Sequence, residues 1–310
     1  VPQDENGNEM LSERRHLVSL AYRMLGTIPE AEEAVQETYL RWYKLPQHER
    51  DQIAPPQTWM TRVISRVCLA RLSTAKARHA RYVGPWLPEP VPNSAFGHPN
   101  MIPADASDRI TMDDSISTAL LVVLEAMPSG ERIAFVLHEI FAVPLDEVAM
   151  ILRCTSAEAE LLAAFARVRV EASRNRRDPR AEHDRVVKSF AHAIRANNLP
   201  GLMLAMDSHV VLQADGGGVV TAARNPIVGA DRVARFLLGI VAKSPGSEIL
   251  EQDTPDGLGF ALWDEGRITG VVTLDVMHGL VSDVRMVVNP GKLSLWNRPS
   301  HSQDQPGHTW

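Results

Sequence analysis

At 310 residues, 45% hydrophobic and 23% charged, the chain exceeds what one hydrophobic core usually serves, so two or three domains are expected. No uncharged apolar run approaches the length of a membrane helix, and the polar, acidic start at residues 1–8 lacks the pattern of a signal peptide and reads as a frayed tail. A soluble, cytoplasmic protein without a membrane partner follows. The net charge of −6 argues against indiscriminate nucleic-acid binding but leaves room for a local basic surface. Its two cysteines, Cys68 and Cys154, lie inside helical patterns and read as small buried hydrophobes, so neither a disulfide framework nor a metal site is expected.

Leu17, Leu20, Ala21, Met24 and Leu25, then Ala34, Val35 and Leu40, recur at three- and four-residue steps and predict two amphipathic helices over residues 13–44. Gly26-Thr27-Ile28-Pro29 separates them, Pro29 suiting a first helical turn. A third helix starts near Pro56 and runs to about Arg81. Over residues 57–82 it carries Arg62, Arg66, Arg71, Lys76, Arg78 and Arg81 and no acid. In a net-acidic chain this fits phosphate contact, with Trp59 and Tyr82 available to stack on unpaired bases; a solvated face with counter-charges on neighbouring helices is the plainer reading.

Prolines 85, 88, 90, 92 and 103 then exclude regular helix or central strand, and residues 84–110 read as a linker. Helical periodicity returns in four segments, 114–127, 130–140, 145–153 and 156–174. The last two flank a very short turn at Cys154-Thr155, where Thr155 and Glu158 form a capping box, so they read as a helix-turn-helix. After a basic connector the period changes: helices at 182–198, 200–206 and 231–243, with strands at 209–214, 248–252, 258–264, 267–277 and 280–288. Helices on one side of a curved antiparallel sheet make an α+β cone. The expected domains are thus 11–83, a linker at 84–110, 111–176, 182–293 and a tail at 294–310.

The residues also carry a resemblance. Segment 30–42, with Glu33, Gln36, Glu37, Arg41 and Trp42, followed by Trp59-Met60-Thr61-Arg62-Val63-Ile64-Ser65-Arg66, resembles region 2 of extracytoplasmic-function (ECF) sigma factors. Segments 127–138 and 145–149 resemble their region 4. Trp86-Leu87-Pro88-Glu89-Pro90, Asp215-Gly216-Gly217-Gly218 and Asn289-Pro290-Gly291-Lys292-Leu293 resemble the group with a fused SnoaL-like C-terminal domain. The resemblance implies two all-α modules and an α+β cone. It also implies docking of Glu33, Gln36, Glu37, Arg41 and Trp42 on the β′ subunit of core RNA polymerase, and minus-ten contact by the basic helix. Minus-thirty-five reading by the helix-turn-helix, and modulation by the fused domain through the linker, complete what it implies.

Several positions depart from that pattern. Ala70 and Ser73 stand where an Asp and an Arg are usual, Val219 where a Lys is, and Gly291 where an Asp is. In the recognition helix, residues 159–166 offer no Arg, Lys, Asn or Gln to base edges, which leaves Arg167 and Arg169 for phosphate contact. A second reading therefore stands beside the first: a sigma-like chain whose cone binds or converts a small molecule without a cofactor, as a cyclase, isomerase or hydrolase. Its candidate pocket residues are Asp215, Trp263, Asp275, Arg285 and Asn289, with Asp275 and Asp215 as acid–base groups. Asp275, set among valines and leucines, would have a raised pKa if it faced an apolar cavity; as an outward strand residue it would instead pair with a basic neighbour.

Overall fold

The computed structural model describes residues 3–79, 82–92 and 116–297, with side chains from Glu13 to Thr74 in the first stretch. Helix α1 (Gln3–Leu25) is followed by α2 (Ile28–Lys44), a single turn α3 (Gln47–Arg50) and the long α4 (Pro56–His79). Residues 3–8, expected to fray, are helical. Leu17, Leu20, Met24, Ile28, Ala34 and Val35 are buried together with Met60, Ile64 and Cys68 of α4. The apolar stripes read from the sequence thus form one three-helix core.

The second helical module comprises α5 (Thr118–Glu125), α6 (Ser129–Phe135) running into a π turn at Val136–Ile140, α7 (Leu145–Leu152) and α8 (Ser156–Arg174). The expected start near Asp114 falls outside the described residues; the helix begins at Thr118, where the Ser117 side chain accepts from Leu120 N–H. Between α7 and α8 the chain reverses through Arg153, whose φ of 59° is left-handed, and Thr155 and Glu158 make the reciprocal capping box. Buried residues of α5 to α8 belong to the same apolar cluster as those of α1, α2 and α4. The two modules therefore share a continuous core.

In the third unit, α9 (Arg180–Arg195), α10 (Leu199–Leu204) and α11 (Ala230–Lys243) cover one face of a six-stranded sheet. Its strands are β1 (Met206–Asp215), β2 (Ile227–Val228), β3 (Glu248–Thr254), β4 (Gly257–Asp264), β5 (Arg267–Met277) and β6 (Leu280–Val287), in spatial order β2-β1-β6-β5-β4-β3. The sheet differs from the antiparallel expectation in one pair: β1 and β6 run parallel. The long connection through β2 to β5 allows this, because a parallel pair needs a crossover and a hairpin cannot supply one. Strand alternation turns Val210, Leu212, Ala214, Phe260, Val272, Leu274, Val284 and Met286 under the helices. On the opposite face Val271 and Val287 pack with Leu87 of the linker, Leu293 and Val122 of α5. That outer face is where the cone meets the rest of the chain. The first residues of the supposed tail are anchored there too: Trp296 Nε1 donates to the Pro90 carbonyl and Asn297 bonds the backbone of Ile268.

Candidate functional site

Linker residues 84–92 lie between the helical modules and the outer face of the cone, held by charge at both ends. At the cone end Asp215 is 0% exposed. Its carboxylate accepts from Tyr82 Oη at 2.5 Å, Leu87 N–H at 2.9 Å, Gly217 N–H at 3.1 Å and Lys292 Nζ at 2.8 Å. Lys292 also donates to the Leu87 carbonyl and lies 4.1 Å from the Trp86 ring centroid. Burial holds its ammonium below the usual lysine range, with Asp215 opposing that shift. Asn289 Nδ2 donates to Tyr82 Oη at 2.8 Å. The Tyr82 phenol is pushed well up, by burial first and then by its bond to Asp215. Gly217 is required here: its φ is 64°, and a Cβ would sit 2.4 Å from Asn289 Nδ2.

The other end of the linker grips the first module. Glu89 Oε2 accepts the N–H of Ile28 at 2.8 Å, capping α2 in place of its own Thr27, which makes no side-chain cap bond. Tyr22 Oη donates to the Glu89 carbonyl at 2.6 Å, and Glu89 N–H donates to Gly26 at 2.8 Å. A second carboxylate reaches from the cone into the other module: both oxygens of Asp256 accept from the first amides of α5, Thr118 and Ala119, at 2.8 Å.

The helical modules also engage each other. Arg132 of α6 donates to the Met24 carbonyl at 2.9 Å, and Arg23 lies 5.5 Å from the Phe141 ring centroid. Arg62 pairs with Glu147 of α7 at 3.4 Å, and Arg66 donates to the Met150 carbonyl at 3.2 Å. Arg71 bonds Glu33 and Glu37 of α2, and Glu37 also pairs with Arg41. Trp59 is half-buried against Trp42, with ring centroids 5.1 Å apart. On α8, Arg167 pairs with Glu139 and Arg169 with Glu131. Of the expected nucleic-acid contacts, the side chains of Lys76 and Arg78, and Arg81 altogether, lie outside the described residues; each of the others has an intramolecular partner. On α2, Glu33, Gln36 and Arg41 remain on the exposed surface.

The candidate cone pocket is not assembled. Asp275 does not face the interior: it lies on the outer sheet face, 2.6 Å from Arg285 Nη2 and 3.6 Å from Arg177 Nε. Burial alone would raise its pKa, but the charge and hydrogen bond of Arg285, with help from Arg177 and His183, outweigh it and hold the carboxyl below its ordinary value. The raised value needed for acid–base work at Asp275 is thus corrected, because strand alternation turns Leu274 and Val276 inward and Asp275 outward. Asp215 and Asn289 belong to the linker contact. Trp263, on the same outer face near the sheet edge, is partly exposed at 38%. Missed from the sequence were Glu89, Asp256 and Lys292 as interdomain partners; only Glu89 and Lys292 stood in motifs that drew attention to them.

Two small cavities flank the linker. One of about 170 Å³ lies among Val83, Gly84 and the turn from Gly216 to Arg224; the other, about 240 Å³, lies among Thr27, Glu30, Trp86, Glu89, Asn289 and Lys292. Both are below the roughly 300 Å³ at which drug-sized ligand pockets begin.

Two helical modules, the second ending in a helix-turn-helix, joined by an anchored linker to a SnoaL-like cone, define a sigma factor with a fused C-terminal domain. Residues 10–78 match the Sigma-70 region 2 family model. The chain is 37% identical over 239 residues to the ECF RNA polymerase sigma factor SigJ of Mycobacterium tuberculosis, covering 75% of this chain and 72% of that one. It is 30% identical over 282 residues to the probable ECF sigma factor SigI of the same species, covering 90% and 92%. The crystal structure of SigJ superposes with a TM-score of 0.67 at 32% identity, over 93% of this chain and 98% of that one. The chain belongs to the ECF RNA polymerase sigma factor family.

Proposed function

We propose that this sigma factor rests in a closed arrangement held by its own cone, and that loading on core RNA polymerase opens it for promoter contact. In that reading Glu33, Gln36, Glu37, Arg41 and Trp42 of α2 meet the β′ subunit. Trp59, Arg62, Arg66, Arg71, Lys76 and Arg78 of α4, with Arg81 two residues beyond its last residue in the sequence, meet the minus-ten region, and Arg167 and Arg169 touch phosphate. The observation that carries it is the contact of Arg62 and Arg66 with α7, which commits the phosphate-binding groups of one module to the other. Phosphate contact and the closed arrangement exclude each other at these two side chains. The linker, fixed by Asp215 on the cone and by Glu89 on α2, is the part through which the cone acts.

The experiment is complex formation with bacterial core polymerase, followed by DNA binding of the free chain. Wild type should bind core, and Gln36→Ala with Arg41→Ala, both exposed, should weaken that complex without lowering the melting temperature. Glu147→Ala should raise the DNA affinity of the free chain by releasing Arg62. Absence of a core complex would overturn the reading, and so would an unchanged or lower DNA affinity for Glu147→Ala.

A further inference from the structure

Helix α2 lacks a complete start of its own. Pro29 has no amide hydrogen to offer, and Thr27, although its φ of −138° and ψ of 146° are those of a cap residue, makes no side-chain cap bond. Its hydroxyl donates to Glu30 instead, at 3.4 Å. The acceptor that the first amide needs comes from 61 residues away: Glu89, 0% exposed, takes the Ile28 N–H at 2.8 Å. A carboxylate at that place also meets the positive end of the helix dipole.

The same residue closes with its backbone on the corner between α1 and α2. Its N–H donates to Gly26 at 2.8 Å and its carbonyl accepts from Tyr22 Oη at 2.6 Å. Gly26 turns the chain there at a φ of 80°, and the Trp86 ring lies over it so closely that a Cβ would sit 2.7 Å away. The linker therefore shapes the corner from which α2 departs. Two residues before Glu89, the Leu87 N–H donates to Asp215 of the cone at 2.9 Å. Cone and α2 are thus joined through three linker residues bonded at both ends.

We infer that Glu89 is a positioning residue for polymerase docking: by capping α2 and fixing its corner, it holds the exposed Glu33, Gln36 and Arg41 in the pose that meets core polymerase. This rests on the reading above in which α2 meets the β′ subunit. The cone's hold on the linker then favours docking. The interdomain contacts have opposite signs: Arg62 and Arg66 against α7 withhold DNA contact, whereas Glu89 on α2 supports core contact. Linkage is reciprocal, so core binding should in turn tighten the linker on α2.

Binding of the full chain to core polymerase tests this. Glu89→Ala should weaken the complex about fivefold, the size expected when an uncapped helix start has to be ordered before it docks. Glu89→Gln keeps an acceptor for the Ile28 amide and should stay within about twofold of wild type. Thr27→Asn supplies a cap from within α2, and added to Glu89→Ala it should recover most of the lost affinity. A side chain that only tethered the linker would not be replaced in this way, since Thr27→Asn restores no contact with the linker. Circular dichroism and melting temperatures check that each variant is folded. In wild type, hydrogen exchange of the peptide containing Ile28 and Glu30 should slow on core binding. Unchanged affinity in Glu89→Ala, no recovery with Thr27→Asn, or faster exchange at the start of α2 in the core complex would each overturn the inference. Gln36→Ala with Arg41→Ala separates it from the reading beneath it. If that pair leaves core binding unaltered, α2 is not the docking helix and both fall; if the pair weakens binding and Glu89→Ala does not, only the inference falls.

Discussion

Replacing Asp215 by Asn tests the anchoring of the linker most directly. The side chain keeps its shape but loses its charge, and Lys292 is left buried without its counter-ion. Breaking a buried pair from one side costs roughly 3–5 kcal/mol. The lower end applies here, because Glu89 and Glu30, which line the same 240 Å³ cavity as Lys292, still act on its charge. About 3 kcal/mol corresponds to roughly a hundredfold rise in the released linker population. Hydrogen exchange reads this locally, since Leu87 N–H donates to Asp215 and Glu89 N–H to Gly26. Both amides should lose about a hundredfold of protection if the linker opens as a unit. The double variant Asp215→Asn with Lys292→Met removes both charges and should restore most of it. Protection within about threefold of wild type in Asp215→Asn, or no recovery in the double variant, would refute the reasoning.

Asp256→Ala removes the acceptor for the Thr118 and Ala119 amides of α5, leaving the Ser117 cap in place, and should cost about 1 kcal/mol, seen as faster exchange at Ala119 with the cone's own unfolding unaltered. Asp275→Ala leaves Arg285 buried and unpaired and should lower stability by roughly 3–5 kcal/mol in urea unfolding. Because the folded carboxyl lies below its ordinary value of 3.8, its contribution is fully present above that pH and is lost as pH falls through the folded value. Urea midpoints of wild type should therefore drop more steeply below that ordinary value than those of Asp275→Asn. Gly217→Ala places a Cβ at a φ of 64° against Asn289 and should cost about 1–3 kcal/mol, measured as a lower melting temperature.

Local features were legible in the sequence because their causes are local. The three- and four-residue steps through Leu17, Leu20 and Met24 mark a buried helix face wherever the helix docks, and the Thr155 and Glu158 box starts α8 with nothing beyond its own turn. Prolines 85, 88 and 90 exclude helix by lacking amide hydrogens. The valines and leucines around Asp275 announce a buried strand. They do not say on which face Asp275 lies, nor that Arg285, ten residues away on β6, faces it, because strand pairing is settled by the whole sheet. Parallel pairing of β1 with β6 is invisible for the same reason.

The basic run on α4 shows the limit most clearly. Sequence alone determined that Arg62, Arg66 and Arg71 are cations on a helix without acids of its own. Tertiary structure decided what they meet: Glu147 and the Met150 carbonyl for the first two, Glu33 and Glu37 for the third. Charge is a property of a residue, while its partner depends on which helices share a core. Here Met24 and Ile64 lie in one apolar cluster with Phe135 and Val148, so the module carrying the cations and the module carrying the acid that meets Arg62 are packed into contact.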